Sequence, residues 1–377
     1  MEFGWTPEQR ARYDTALAAA RQRFTPESGA PGIAPADWRA LGELGLLGAS
    51  VEAKFGGGGH GALDTALLFE AFGRGCPDTG LVFAAAAHLF ACAMPIAEFG
   101  DASLKERLLP DMCAGRTVAA NAMTEPDAGS DVAKLATTAT PVDGGYLLNG
   151  AKSFVSNGPV ADVLVTYATT DPAAGHFAVT AFAVERGTAG IGVGEPFGKL
   201  GMKSCPAGQV TFTDCFVPGD QVLGERGQGS VVFQESMRWE RTCLFALYVG
   251  LQERLVEQVI EHVQQRSQFG RKLAEFQSVT NRIVEMKLRL ESSRLLLYRA
   301  CWLLDRDEPG ALPSALSKLA VSEAAVAGAT DAIQVLGGRG YLTEYGVESA
   351  LRDAVGGTIF SGTSDIQRQI IARELGL

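Results

Sequence analysis

Tyr146-Leu147-Leu148-Asn149, running on into Lys152-Ser153-Phe154-Val155, opens a stretch in which Gly, Thr, Val and Phe become frequent and alternation appears. Val163-Leu164-Val165-Thr166-Tyr167, Phe177-Ala178-Val179-Thr180-Ala181-Phe182 and Val210-Thr211-Phe212-Thr213 follow, with Gly, Asp and Pro between them. A period of two in β-branched and aromatic residues, cut by turn formers, is the pattern of short strands. Residues 119–222 therefore read as a β domain. On either side the period changes. Residues 1–118 are Ala- and Leu-rich, with helical stretches near 36–47, 63–74, 79–98 and 101–110. Thr6-Pro7-Glu8 places an N-cap, a proline at the first helical position and an acidic first turn at the start. In residues 223–377 the helices lengthen. Leu244, Leu247, Leu251, Leu255 and Val259 share one stripe, as do Val279, Ile283, Met286 and Leu290. The stretch 313–336 is Ala-rich, with Leu316, Leu319, Val326 and Ile333. Long helices joined by short turns predict a four-helix bundle. The class is α+β in three domains: helical, β, helical. Strands and helices do not alternate throughout, which argues against a doubly wound nucleotide-binding fold.

Composition narrows the function. The 377 residues exceed one compact core. A net charge of −10 argues against nucleic acid as a partner. The opening Met1-Glu2-Phe3-Gly4-Trp5-Thr6-Pro7 lacks the basic and apolar segments of a secretion signal. No uninterrupted apolar run of about 18 residues appears, so no membrane span is expected. Seven scattered cysteines without a C-x-x-C spacing point to free thiols in a reducing cytoplasm. Four separated histidines do not suggest a metal site. The glycine run Phe55-Gly56-Gly57-Gly58-Gly59-His60-Gly61 reads as a plain loop, because no strand precedes it and no Gly-Lys-Ser/Thr follows.

Several segments carry a more specific signal, in order along almost the whole chain. They are Met123-Thr124-Glu125-Pro126-Asp127-Ala128-Gly129-Ser130-Asp131, Asn149-Gly150-Ala151-Lys152-Ser153-Phe154-Val155-Ser156-Asn157-Gly158 and Lys199-Leu200-Gly201-Met202-Lys203-Ser204. Arg266-Ser267-Gln268-Phe269-Gly270, Gln334-Val335-Leu336-Gly337-Gly338-Arg339-Gly340-Tyr341 and Gly362-Thr363-Ser364-Asp365-Ile366-Gln367 complete the set. Together they resemble the acyl-CoA dehydrogenase family. The resemblance implies that family's fold, with a β-barrel-like middle domain, a homotetramer, and FAD between the β domain and the C-terminal bundle. Met123, Thr124 and Ser130 would line the isoalloxazine and pyrophosphate, with Ser130 also toward substrate. Phe154 and Ser156 would lie against the flavin ring. Arg266, Phe269, Gln334 and Gly338 would reach a neighbouring subunit's FAD. Thr363 and Asp365 would touch its adenosine side. Read without the family, Thr-Glu-Pro-Asp and Ser-Asn-Gly are ordinary turn material.

The implied reaction removes the α proton of an acyl thioester with a base and its β hydrogen as hydride. Much of the family carries the base as Glu directly before Gly-Thr in the C-terminal motif. Here that position is Ser361, which is no base at neutral pH without a partner. Isovaleryl-type members instead place Glu before Arg at the start of the bundle. Trp239-Glu240-Arg241 stands there, so Glu240 is the expected base and Arg241 its substrate-side neighbour. Glu235, five residues earlier, falls on a different helical face. The Ser361 backbone N–H would still serve the thioester oxygen, since a main-chain donor does not depend on the side chain.

Trp239-Glu240-Arg241-Thr242-Cys243-Leu244 and the segment from Phe360 to Gln367 also look similar to members that act on carrier-tethered substrates in secondary metabolism, such as prolyl-carrier-protein dehydrogenases. Free branched or short-chain CoA thioesters are the alternative. A flavin-dependent oxygenase of the same fold, or a non-enzymatic helical protein, fits less of the pattern. The electron acceptor, an electron-transfer flavoprotein or oxygen, is left open.

Overall fold

A computed structural model describes residues 4–25 and 32–377. The opening Met1-Glu2-Phe3 discussed above lies outside them. The first helix, α1 (Pro7–Arg23), starts where the sequence placed it. Thr6 Oγ1 accepts from Gln9 N at 3.2 Å and Gln9 Oε1 accepts from Thr6 N at 3.0 Å, a reciprocal capping box. After it come α2 (Pro35–Glu43), α3 (Ala62–Gly75), α4 (Thr79–His88), α5 (Met94–Phe99) and α6 (Ala102–Cys113), with a single π turn, Leu89–Ala93, joining α4 to α5. The glycine loop leads into α3, whose first amides at Ala62 and Leu63 donate to the Asp305 carboxylate. That helix N-terminus is therefore occupied by the protein's own anion.

Eight strands follow: β1 (Ala119–Ala122), β2 (Thr138–Val142), β3 (Gly145–Ser156), β4 (Val163–Thr169), β5 (Val179–Glu185), β6 (Ile191–Val193), β7 (Ala207–Pro218) and β8 (Val222–Leu223). They form one sheet in the order β6-β7-β3-β2-β4-β5-β8, with β1 pairing parallel to β4. The long strands β3 and β7 are antiparallel partners, and their register slips between Leu148 and Gly150 and again between Lys152 and Val155. Such bulges bend a strand and redirect side chains, and the second one lies in the segment that carries Phe154.

The C-terminal helices are α7 (Gly229–Trp239), α8 (Ala246–Gln265), α9 (Gln277–Leu304), α10 (Ala311–Leu336), the short α11 (Gly338–Tyr341), α12 (Val347–Gly357) and α13 (Ser364–Glu374). A second π turn, Glu240–Leu244, joins α7 to α8, and a small hairpin of β9 (Ser267–Gln268) and β10 (Arg271–Lys272) follows α8. Helix α8 packs against α3, α9 and α10. At the α3–α8 crossing, a side chain on Gly73 would strike Leu247 O at 2.1 Å, and one on Gly250 would strike Glu70 O at the same distance. The two backbones touch there because neither glycine has a Cβ. Accordingly the N-terminal helices and the C-terminal bundle share one large core, while the sheet encloses a smaller one around Leu148, Phe182, Phe212 and Val217.

The stripe expected on α8 is buried throughout. Helix α10 turns the other way. Its inward face carries Ser314, Ser317, Lys318, Ser322, Ala325, Ala329 and Ala332, whereas Leu316, Leu319, Val326 and Ile333 are only half-buried. Small residues let α10 approach α8 and α9 closely; Val321 is buried among them, and Val326 and Ile333 pack half-buried against the edge of the core. Among the described residues, two helical stretches are long and apolar enough to cross a membrane, Thr79–Phe99 and Ala311–Leu336, although neither is an uninterrupted apolar run. The first is a core element, 89% buried inside the fold. All seven cysteines are free, buried thiols.

Candidate functional site

The site begins where α7 stops being an α-helix. Adjacent residues on such a helix point about 100° apart. In the π turn Glu240–Leu244 one turn holds an extra residue, a geometry common at functional sites. The main chain freed by the wide turn is held from outside. Thr242 Oγ1 and Ser314 Oγ are 2.9 Å apart, the Cys301 thiol donates to Thr242 O at 3.8 Å, and the Cys243 thiol donates to Ala62 O at 3.7 Å. Glu240 and Arg241 both line one cavity of about 210 Å³, together with Met123, Thr124 and Ser130 of the β1–β2 loop and Ser361. The β region and the C-terminal bundle thus meet at this cavity.

Glu240 is 8% exposed. Burial pushes its carboxyl above the usual carboxylate range, while the Ser361 hydroxyl and the Arg241 guanidinium pull it back. The Ser361 hydroxyl donates directly to Glu240 Oε1. Ser361 itself has φ +55°, a left-handed conformation uncommon outside glycine, and Gly362 follows at +89°. The bend is fixed by two donors on the Ser361 carbonyl, Arg241 Nε at 3.0 Å and Gln367 Nε2 at 3.3 Å. The Ser361 N–H makes no hydrogen bond among the described residues. Glu235 does not enter the cavity and pairs with Arg238 at 3.1 Å.

The remaining expected residues fall into two groups. Met123, Thr124 and Ser130 line the cavity beside Glu240. Phe154 has φ +55° and is 67% exposed, its ring 5.6 Å from that of Phe197. Ser156 ends β3 opposite Ala207. Thr363 uses its hydroxyl to cap α13, accepting from Ile366 N at 3.2 Å, and Asp365 is exposed in the first turn beyond it. The second group sits elsewhere. Arg266 follows the last residue of α8, a 20-residue helix, so roughly 30 Å of helix separates it from the π turn. Phe269 and Gly270, at the tip of the β9–β10 hairpin, both have positive φ, and Phe269 is 95% exposed. Gln334 and Gly338 are also exposed. Within one chain this second group does not line the cavity.

A flavin suits the first group. The walls offer apolar faces, hydroxyls and free amides, and Glu240 is the only carboxylate among the cavity-lining residues described. Asn121, which the sequence reading did not single out, also lines the cavity, and its Oδ1 is buried without a hydrogen-bond partner. A buried acceptor left unpaired is costly unless a ligand or water satisfies it. A buried ion pair, Lys152 with Glu125, lies beneath the loop. Lys152 Nζ, fully buried, donates to Glu125 Oε1 at 2.7 Å, Tyr167 O at 2.6 Å and Met123 O at 3.3 Å. Burial pushes Lys152 down to about 8. Both residues stood in the quoted motifs. Their contact across 27 residues is what joins the Met123–Thr124 segment to β3 and β4.

The acyl-CoA dehydrogenase N-terminal, middle and C-terminal domains match residues 6–116, 120–215 and 227–376. The chain belongs to the acyl-CoA dehydrogenase family. It is 56% identical over 341 residues to an L-prolyl-[peptidyl-carrier protein] dehydrogenase of Pseudomonas fluorescens, covering 90% of each chain. Among solved structures it is similar to PigA with FAD and proline, with a TM-score of 0.97 at 43% identity and full coverage of both chains. It is also similar to the prolyl acyl carrier protein oxidase AnaB, with a TM-score of 0.96 at 38% identity over 99% of this chain and 100% of that one.

Proposed function

We propose that this family member is a FAD-dependent dehydrogenase that oxidises a prolyl thioester tethered to a carrier protein, with Glu240 as the base. The observation that carries the reading is the buried Glu240 carboxylate lining the same cavity as Ser361 and the β1–β2 loop. The relatives named for prolyl carrier proteins support the substrate.

Met123, Thr124, Ser130, Phe154 and Ser156 would hold FAD from one subunit, and Arg266, Phe269, Gln334 and Gly338 would hold it from a second, with Thr363 and Asp365 serving its adenosine part. FAD, when bound, supplies the acceptor for the β hydride. Glu240 takes the α proton, so its ionised form is the active one, and burial keeps its basicity high enough for work near neutrality. The unpaired Ser361 N–H faces the negative charge that develops on the thioester oxygen. Arg241 fixes the Ser361 carbonyl behind that donor and stands with Ser130 on the substrate side.

The assembly proposed is a homotetramer. The exposed apolar residues of α9, among them Val284, Leu288 and Leu295, support it. Electrons pass onward to an electron-transfer flavoprotein or to oxygen, and oxygen uptake without an added acceptor marks the second. The free thiols suit a cytoplasmic setting.

The test is anaerobic flavin bleaching by prolyl-carrier thioester, with prolyl-CoA and isovaleryl-CoA as comparisons. Glu240→Gln binds FAD but slows bleaching by about 10²-fold or more. Substantial remaining bleaching rejects Glu240. Faster bleaching by isovaleryl-CoA than by the carrier thioester rejects the substrate.

A further inference from the structure

The residue that replaces a carboxylate at position 361 is not idle. We infer that the Ser361 side chain is the positioning group for Glu240: its hydroxyl takes Oε1, fixes the carboxylate plane and leaves Oε2 as the oxygen that receives the substrate proton. The inference rests on the reading of Glu240 as the base.

The geometry is built for this contact. Ser361 Oγ donates to Glu240 Oε1 across 121 residues of sequence. Oε2 accepts no hydrogen bond among the described residues, and the side chain lines the cavity. Serine is held at φ +55°, where a Cβ is unwelcome, by Arg241 Nε and Gln367 Nε2 on its carbonyl. Glycine would relax that strain, so what the serine side chain adds is its hydroxyl. The main chain of Glu240 is set separately by the π turn and its outside partners. One device thus places the backbone of the base and another aims its side chain.

The other polar groups around the carboxylate do not compete for this role. Arg241 is directed to the Ser361 carbonyl. Cys92, from the Leu89–Ala93 π turn, and Tyr167, from β4, both lie within electrostatic range of Glu240, and burial pushes both up, so they remain neutral. Neither is hydrogen-bonded to it, so among the described residues the Ser361 hydroxyl is the one donor on the carboxylate. A hydrogen bond to the charged form favours ionisation, and in a dry site this offsets part of the burial cost.

The experiment titrates Glu240 itself in the FAD-loaded protein, by carbon-13 carboxyl resonances assigned against Glu240→Gln. Ser361→Ala moves the Glu240 midpoint up by about one to two pH units. The acid limb of kcat/KM for flavin reduction moves with it. Ser361→Gly shifts the midpoint like alanine while its thermal midpoint is unchanged or higher, which separates aiming of the base from support of the fold. A midpoint in Ser361→Ala that matches wild type overturns the inference. Should Glu240→Gln keep bleaching its flavin, the base assignment fails instead, while the titration still reports on the hydrogen bond.

Discussion

Glu240, Lys152 and His88 are three buried titratable residues, each balancing the cost of burial differently. Glu240 is left partly uncompensated: one oxygen accepts from Ser361, the other accepts no hydrogen bond among the described residues, and the residue lines a cavity. Lys152 has a carboxylate and two carbonyls, so its charge is satisfied. His88 is fully buried, accepts from Ala119 N at 3.0 Å through Nδ1, and burial lowers its pKa to about 4. The sign follows from that depression. The unfolded chain binds a proton near pH 6.5, while the folded chain resists it down to about 4. Stability is therefore intact above about 6.5 and falls as pH drops through this window, by up to about 3 kcal/mol. Thermal melts at pH 7, 5.5 and 4 check this: wild type loses stability relative to His88→Gln on acidification, and parallel curves would contradict it.

Between elements, the joint most exposed to charge chemistry ties α3 to the bundle. Glu70 of α3 is fully buried and meets Arg294 of α9 at 3.0 Å and Tyr298 Oη at 2.7 Å. Arg294 also pairs with Glu253 of α8 at 2.5 Å. Three helices share one guanidinium, close to the Gly73–Gly250 crossing. Removing only the cation strands a buried carboxylate, and breaking such pairs from one side costs about 3–5 kcal/mol. Arg294→Met is expected to lower the urea midpoint accordingly, and adding Glu70→Gln to recover part of the loss. Equal midpoints for wild type and Arg294→Met would show that the network carries no net stability.

For the whole molecule, the distance along α8 between the two residue groups proposed to hold FAD makes a sharing test possible. On the proposed function, a closed symmetric assembly would draw Glu240 for each site from one chain and Arg266 with Phe269 from another. Arg266→Ala/Phe269→Ala chains and Glu240→Gln chains are then both inactive alone. Refolded together in equal amounts, they form some sites with every wild-type group, and about a quarter of wild-type flavin reduction returns. No recovery on mixing would place the whole site within one chain.

The sequence by itself determined the order helical, β, helical, the start of α1 and the missing carboxylate at 361, because periods of two and of about 3.6 and a capping box are local properties of the chain. Glu240 was legible too, as a glutamate at a family-specific place. Tertiary structure alone decided which face of α10 turns inward, since a helix with apolar residues most of the way round, small ones as well as large, can pack on more than one face until neighbours set the distance. It also decided the partners, Ser361 for Glu240 and Lys152 for Glu125, because contacts over 121 and 27 residues form only when a bent loop and a bulged strand bring those side chains together.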